Sequence, residues 1–76
     1  MAYYKSGDYL RESTNELFDA LLDPEDICFH SGIYRCEACG FEVVAALGGS
    51  LPPKNHHEHN ASQAAIRWRL IVGTDL

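Results

Sequence analysis

Apolar residues follow two different rhythms on either side of Pro24. Ahead of it, Leu17, Phe18, Leu21 and Leu22 form a stripe at helical spacing, with Asp19 and Asp23 off that stripe. Ser13-Thr14-Asn15-Glu16 has the form of a capping box, in which Ser13 accepts from the Glu16 backbone amide and Glu16 reaches back. A helix is therefore expected from Ser13, with Asp23 as its last residue because the residue before a proline avoids helical angles. Beyond Pro24 the period shortens to two. Phe41, Val43, Ala45 and Leu47 share one face of a predicted strand over 41–47, closed by Gly48-Gly49-Ser50. Ile66, Trp68, Leu70 and Val72 point inward from a second strand over 65–72, with Arg67 and Arg69 outward, until Gly73. Gly32–Cys36 is a third candidate, and Ile27–His30 a short extension before the Ser31-Gly32 turn. The expected fold is small α+β, an N-terminal helix packed on a three-stranded antiparallel sheet.

With 76 residues, one domain is expected, an arm over 1–12 leading into a unit over 13–76. Tyr3, Tyr4 and Tyr9 read as packing residues of that arm, and Trp68 as core. A core of this size supplies only about 3–5 kcal/mol, so a staple is expected. The formal charge of -5 is uneven, with Asp8, Glu12, Glu16, Asp19, Asp23, Glu25 and Asp26 crowding the N-terminal third against Lys5 and Arg11. Such a balance disfavours general binding of nucleic acid, whose affinity comes largely from Lys and Arg on phosphates. The first residues lack the apolar run of a signal peptide, and no apolar stretch is long enough to span a bilayer. A cytoplasmic protein is expected, and in that compartment the match of Asn60-Ala61-Ser62 to a glycosylation acceptor carries no meaning.

The staple is legible in Cys36-Glu37-Ala38-Cys39-Gly40, answered by Lys54-Asn55-His56-His57-Glu58-His59. Two residues between the cysteines let both sulfurs converge on one ion. Gly40 fits the positive φ often needed just after such a pair, and amide donors in the turn favour the thiolate that binds zinc. A redox dithiol would place the first cysteine at a helix N-terminus, whereas here a glycine and a β-rich run follow Cys39. Rubredoxin-type iron needs four thiolates and a Rieske cluster wants Cys-x-His paired with Cys-x-x-His, and neither pattern is present. His56 and His59 repeat the two-residue gap of the cysteines and are the expected partners, giving Cys36, Cys39, His56 and His59 around Zn2+, with His57 as the alternate ligand. Cys28 and His30 alternate on one strand face and could join His57 in a second site, although a buried free thiol and a surface imidazole explain them more simply.

Gly32-x-Tyr34-x-Cys36-x-x-Cys39-Gly40, a hairpin ending near Gly48-Gly49, then Leu51-Pro52-Pro53, a second ligand pair and a strand containing Trp68 together resemble the small bacterial zinc-ribbon proteins with a rubredoxin-like sheet. The resemblance covers about the last three-fifths of the chain. It implies a ribbon fold and a zinc ion, and little about activity, since members are mostly of unassigned role. In that family the second pair is usually Cys-x-x-Cys, and here histidines stand in its place.

Three function classes follow. A structural Cys2His2 zinc site in a protein-interaction module leads, because four protein ligands leave no position for chemistry and no nucleophile-base pair stands out. This reading expects no enzymatic turnover and an unidentified protein partner. A nucleic-acid-binding ribbon using Arg35, Lys54, Arg67 and Arg69 is the alternative. The third is a hydrolytic zinc site in which one histidine leaves the metal, water takes its position, and Glu58 or Glu37 acts as general base.

Overall fold

The computed structural model describes residues 1–57, 59 and 64–74. Glu58 and the Asn60-Ala61-Ser62 triplet lie outside the described residues. Three strands form one antiparallel sheet: β1 (Gly32–Cys36), β2 (Glu42–Ala45) and β3 (Trp68–Gly73), in the order β2-β1-β3. β1 pairs Tyr34 with Val43 on one side and with Leu70 on the other. Register shifts between Ile33 and Tyr34, because Ile33 faces Val72 while Tyr34 faces Leu70, which leaves Ile71 as the extra residue of a bulge. Gly32 is needed where β1 meets β3, since a Cβ there would lie 2.0 Å from the Val72 carbonyl oxygen.

The expected N-terminal helix is absent, and this corrects the α+β reading. Among the described residues the helical elements are two 3-10 turns, Gly7–Tyr9 and Glu16–Phe18. Ser13 Oγ accepts from the Asn15 amide, and Asn15 Oδ1 accepts from the Leu17 amide, so the cap falls two residues late and launches a single turn. Physical reasons are at hand. Between Ser13 and Pro24 there is room for only about three turns, below the length at which an isolated helix is stable. Glu12 and Glu16, and Asp19 and Asp23, would stack like charges at i,i+4. The winning alternative is a sheet contact: Leu22 N–H donates to the Trp68 carbonyl at 2.8 Å and Trp68 N–H returns to Leu22 at 2.8 Å. Residues of the supposed helix thereby extend the free side of β3.

The short extension expected at Ile27–His30 is a bridge to the segment after β2. Ile27 pairs with Ser50, and Cys28 exchanges backbone hydrogen bonds with Gly49 and Gly48. Asp23–Asp26 closes a tight turn in which Glu25 takes a positive φ of 70°. The core comprises Cys28, Tyr34, Cys36, Leu51, Ile66, Trp68 and Leu70, with Leu17, Phe18, Leu22, Phe29 and Val43 packed on it. β3 starts at Trp68 and not at Ala65. The expected alternation holds for Trp68 and Leu70, which are buried, but ends at the Ile71 bulge, beyond which Val72 is only half-buried. In β2, Val44 points to solvent at 84% exposure while Val43 and Ala45 turn inward. Leu47, expected inside, is exposed because a turn has begun: its amide donates to Ser31 Oγ. Tyr3, Tyr4 and Tyr9 are exposed as well and do not pack on the core. No helix among the described residues is long and apolar enough to cross a membrane.

Candidate metal centre

Cys36 ends β1 and Cys39 follows in the turn that leads to β2. The turn is closed by Gly40 N–H donating to the Cys36 carbonyl at 2.8 Å and by Cys36 N–H donating to the Phe41 carbonyl at 2.7 Å. Gly40 has φ of 83°, a value that an L side chain rarely adopts. Cys36 is fully buried and Cys39 is exposed. Burial of Cys36 pushes its thiol up, but backbone amides of Cys39, Ala38 and Arg67 and the Cys39 side chain donate toward the sulfur and outweigh it, leaving the thiol more acidic than usual. A buried thiolate satisfied by amides is what a cation-binding sulfur needs.

The opposite wall comes from the segment after Leu51-Pro52-Pro53. His56 N–H donates to the Pro53 carbonyl at 2.9 Å, closing a turn, and the chain then carries His57 and His59 toward the cysteines. His57 Nε2 lies 3.3 Å from Cys39 Sγ, His59 Nε2 lies 3.4 Å from Cys36 Sγ, and the two Nε2 atoms are 3.0 Å apart. All four donor atoms fall within 4.8 Å of one another, so Cys36, Cys39, His57 and His59 could hold one metal ion. His59 Nδ1 is 2.6 Å from the Ala64 carbonyl oxygen, which requires Nδ1–H as donor and leaves the Nε2 lone pair facing the sulfurs. Burial, together with the neighbouring His59 and His56 rings, holds His57 below its ordinary value of 6.5 and so favours neutral imidazole.

His56, expected to pair with His59, stands next to His57 instead, with the two Nδ1 atoms 3.0 Å apart and the rings perpendicular. Cys28 and His30 do not join the group. Cys28 is in the core, where burial raises its thiol, and His30 Nε2 meets the Thr74 carbonyl. Two further side chains shape the site. Phe41 stacks on His57 with ring centroids 4.7 Å apart and planes 9° from parallel, and Trp68 presents its ring to His57 at 5.7 Å. Trp68 was readable as core, but its contact with the histidines was not. For Phe41 the signal was its place directly after Gly40, at the mouth of the cysteine turn.

Of the cations expected to face solvent, Arg67 Nε lies 3.0 Å from Asp23 and Arg69 Nε lies 3.1 Å from Glu37. The chain is 51% identical over 53 residues to Protein L of Escherichia coli, a match covering 70% of this chain and 60% of that protein's length. This chain thus spans less than two thirds of the relative. No family model matches, and no solved structure does.

Proposed function

We propose that this protein is a zinc-stapled protein-interaction module of the zinc-ribbon kind, in which Cys36, Cys39, His57 and His59 hold one structural Zn2+. The carrying observation is the spacing of the donor atoms. Zinc–sulfur bonds of about 2.3 Å and zinc–nitrogen bonds of about 2.0–2.1 Å give tetrahedral edges of about 3.6 Å from S to N and about 3.3 Å from N to N. Two S···N separations, 3.3 and 3.4 Å, and the N···N separation of 3.0 Å lie a few tenths of an ångström inside those edges, and the whole donor set lies within 4.8 Å. Two thiolates and two imidazoles suit zinc by softness and by geometry. Four protein donors fill its tetrahedron, which argues for a structural role over hydrolysis.

Support for a protein partner comes from the acidic side of the chain. A groove of about 580 Å³ is lined by Leu17, Ala20, Leu22 and Phe29, with Glu16 and Asp19 beside them. Neither carboxylate has an ion-pair partner among the described residues. Such a surface fits a partner segment that carries both apolar and basic side chains. Nucleic acid is disfavoured, since Arg67 and Arg69 each already face a carboxylate.

Elemental analysis of tag-free protein tests the metal, with one zinc per chain expected and loss of it in Cys36→Ser. No zinc in the wild type would end the reading. Photo-crosslinking from Ala20 in cells tests the partner. A protein captured by the wild type and lost on Glu16→Lys with Asp19→Lys is expected, and equal capture by both forms would reject this groove.

A further inference from the structure

The geometry points to His56 as a positioning residue of the metal centre, a hydrogen-bond acceptor that holds His57 as the Nδ1–H tautomer with Nε2 turned to the ion. The inference rests on the zinc reading above and adds to it a third histidine that is not a ligand. His57 and His59 both direct Nε2 at the cysteines. For His59 the far nitrogen is fixed by the Ala64 carbonyl oxygen at 2.6 Å. For His57 the atom in the equivalent place is His56 Nδ1, at 3.0 Å. A ligating imidazole with its near nitrogen on the metal carries its proton on the far one, and that proton needs an acceptor. His56 meets the need if its own proton is on Nε2.

The surroundings restrict both rings. Phe41 stacks on His57 and meets His56 edge-on at 5.1 Å, and Trp68 lies 6.0 Å from His56. His56 is an exposed residue all the same, so its removal is not expected to empty the core. With no cation present, His57 Nε2–H can donate to His59 Nε2 and the bond between His56 and His57 runs in the opposite direction. Zinc-loaded protein is therefore the state to test.

The experiment is zinc affinity by competition with a chromophoric chelator for the wild type, His56→Ala, His56→Asn and His56→Gln, with cobalt spectra of each. We expect wild-type protein to bind one zinc and His56→Ala to bind it about 10–100-fold more weakly. Its tetrahedral cobalt spectrum should be unchanged, and at least one amide variant should recover most of the affinity by offering its carbonyl oxygen. Nitrogen NMR of the zinc-loaded protein should show His57 as the Nδ1–H tautomer and His56 as Nε2–H. Four results overturn the inference: unchanged affinity in His56→Ala, an altered cobalt ligand set in that variant, a loss that neither amide repairs, or the opposite His56 tautomer. A wild type that binds no zinc fails at the first step, removes the zinc reading itself, and takes this inference with it.

Discussion

Replacing Cys36 by serine separates the metal contribution from the packing contribution, because a second buried cysteine serves as control. Cys36 and Cys28 are 0% and 1% exposed, and both belong to the core. Serine in either place is nearly isosteric and buries a hydroxyl, at a cost of about 1–3 kcal/mol. At Cys36 the new oxygen can still accept from the amides that served the sulfur, which keeps its metal-free cost at the low end. The metal term is larger. Structural zinc contributes roughly 10–16 kcal/mol near neutral pH, or about 3 kcal/mol per ligand if shared evenly over four. A chain of 76 residues has a total stability of about 4–11 kcal/mol.

With zinc present, Cys36→Ser should therefore cost at least about 3 kcal/mol more than Cys28→Ser, a large share of a total stability of about 4–11 kcal/mol. In excess chelator the difference should vanish, because a chain with about 4–11 kcal/mol in all has no folded state left to lose once a zinc term of roughly 10–16 kcal/mol is removed. The assay is urea unfolding followed by far-UV circular dichroism on tag-free protein, in zinc and in chelator. Equal losses for the two variants in zinc would refute the reasoning, and so would a difference that persists unchanged in chelator.

Other predictions concern the frame. Gly32→Ala places a Cβ 2.0 Å from the Val72 carbonyl and 2.9 Å from Leu70 Cδ1, and the first of these is backbone that cannot rotate away. A loss near or above the upper end of the usual overpacking cost of about 1–3 kcal/mol is expected in urea unfolding, and a loss below about 1 kcal/mol would contradict the register between β1 and β3. Glu25→Gly relieves a left-handed φ of 70°. That conformation costs about 1–2 kcal/mol, against about 0.5–1 kcal/mol for glycine's extra freedom, so a gain of up to about 1.5 kcal/mol should appear as a raised urea midpoint. At alkaline pH the chain should weaken. Burial raises the Cys28 thiol above 9.0, and burial with the nearby Cys28 raises Tyr34 above 10.0, so the unfolded chain sheds these protons first. Their stabilisation is full below pH 9.0 and falls as pH rises through the folded values, by up to about 1.4 kcal/mol per pH unit for each group. Cys28→Val should flatten the first part of that fall, and an unchanged slope between pH 9 and 10 would exclude Cys28 as its source.

The parts legible in the sequence are those where a single local rule governs the outcome. Alternation marks Ile66, just ahead of β3, and Trp68 and Leu70 within it as buried, and Gly40 after a cysteine pair marks the turn with positive φ. Three local signals agree on a helix that does not form: cap, stripe and proline stop. None of them carried the long-range alternative, the paired hydrogen bonds of Leu22 with Trp68 across more than forty positions. The histidines show a milder form of the same limit. Matching the gap of the cysteine pair selects His56 and His59. The backbone turns there, with His56 N–H on the Pro53 carbonyl, and it is His57 and His59 that face the sulfurs. The place of Phe41 after Gly40 puts it at the mouth of the cysteine turn, but its stacking partner His57 lies on a loop some fifteen residues away, which no local pattern links to it.

Trp68 joins the two halves of the problem. Its backbone pairs with Cys36 on one side and Leu22 on the other, its side chain is fully buried, and its ring meets both His56 and His57. One residue thus ties the metal loop, the central strand and the N-terminal segment together. Among the described residues the buried core contains seven, two of them cysteines and one of those a candidate ligand. On the zinc reading, the cation at the Cys36 sulfur completes this small core. Metal loading and sheet formation are then expected as a single transition, in which the signal from the chain's one tryptophan and the backbone signal change together on zinc titration. Separate midpoints for the two signals would mean that the sheet stands without its ion and that the site is an accessory to a fold already made.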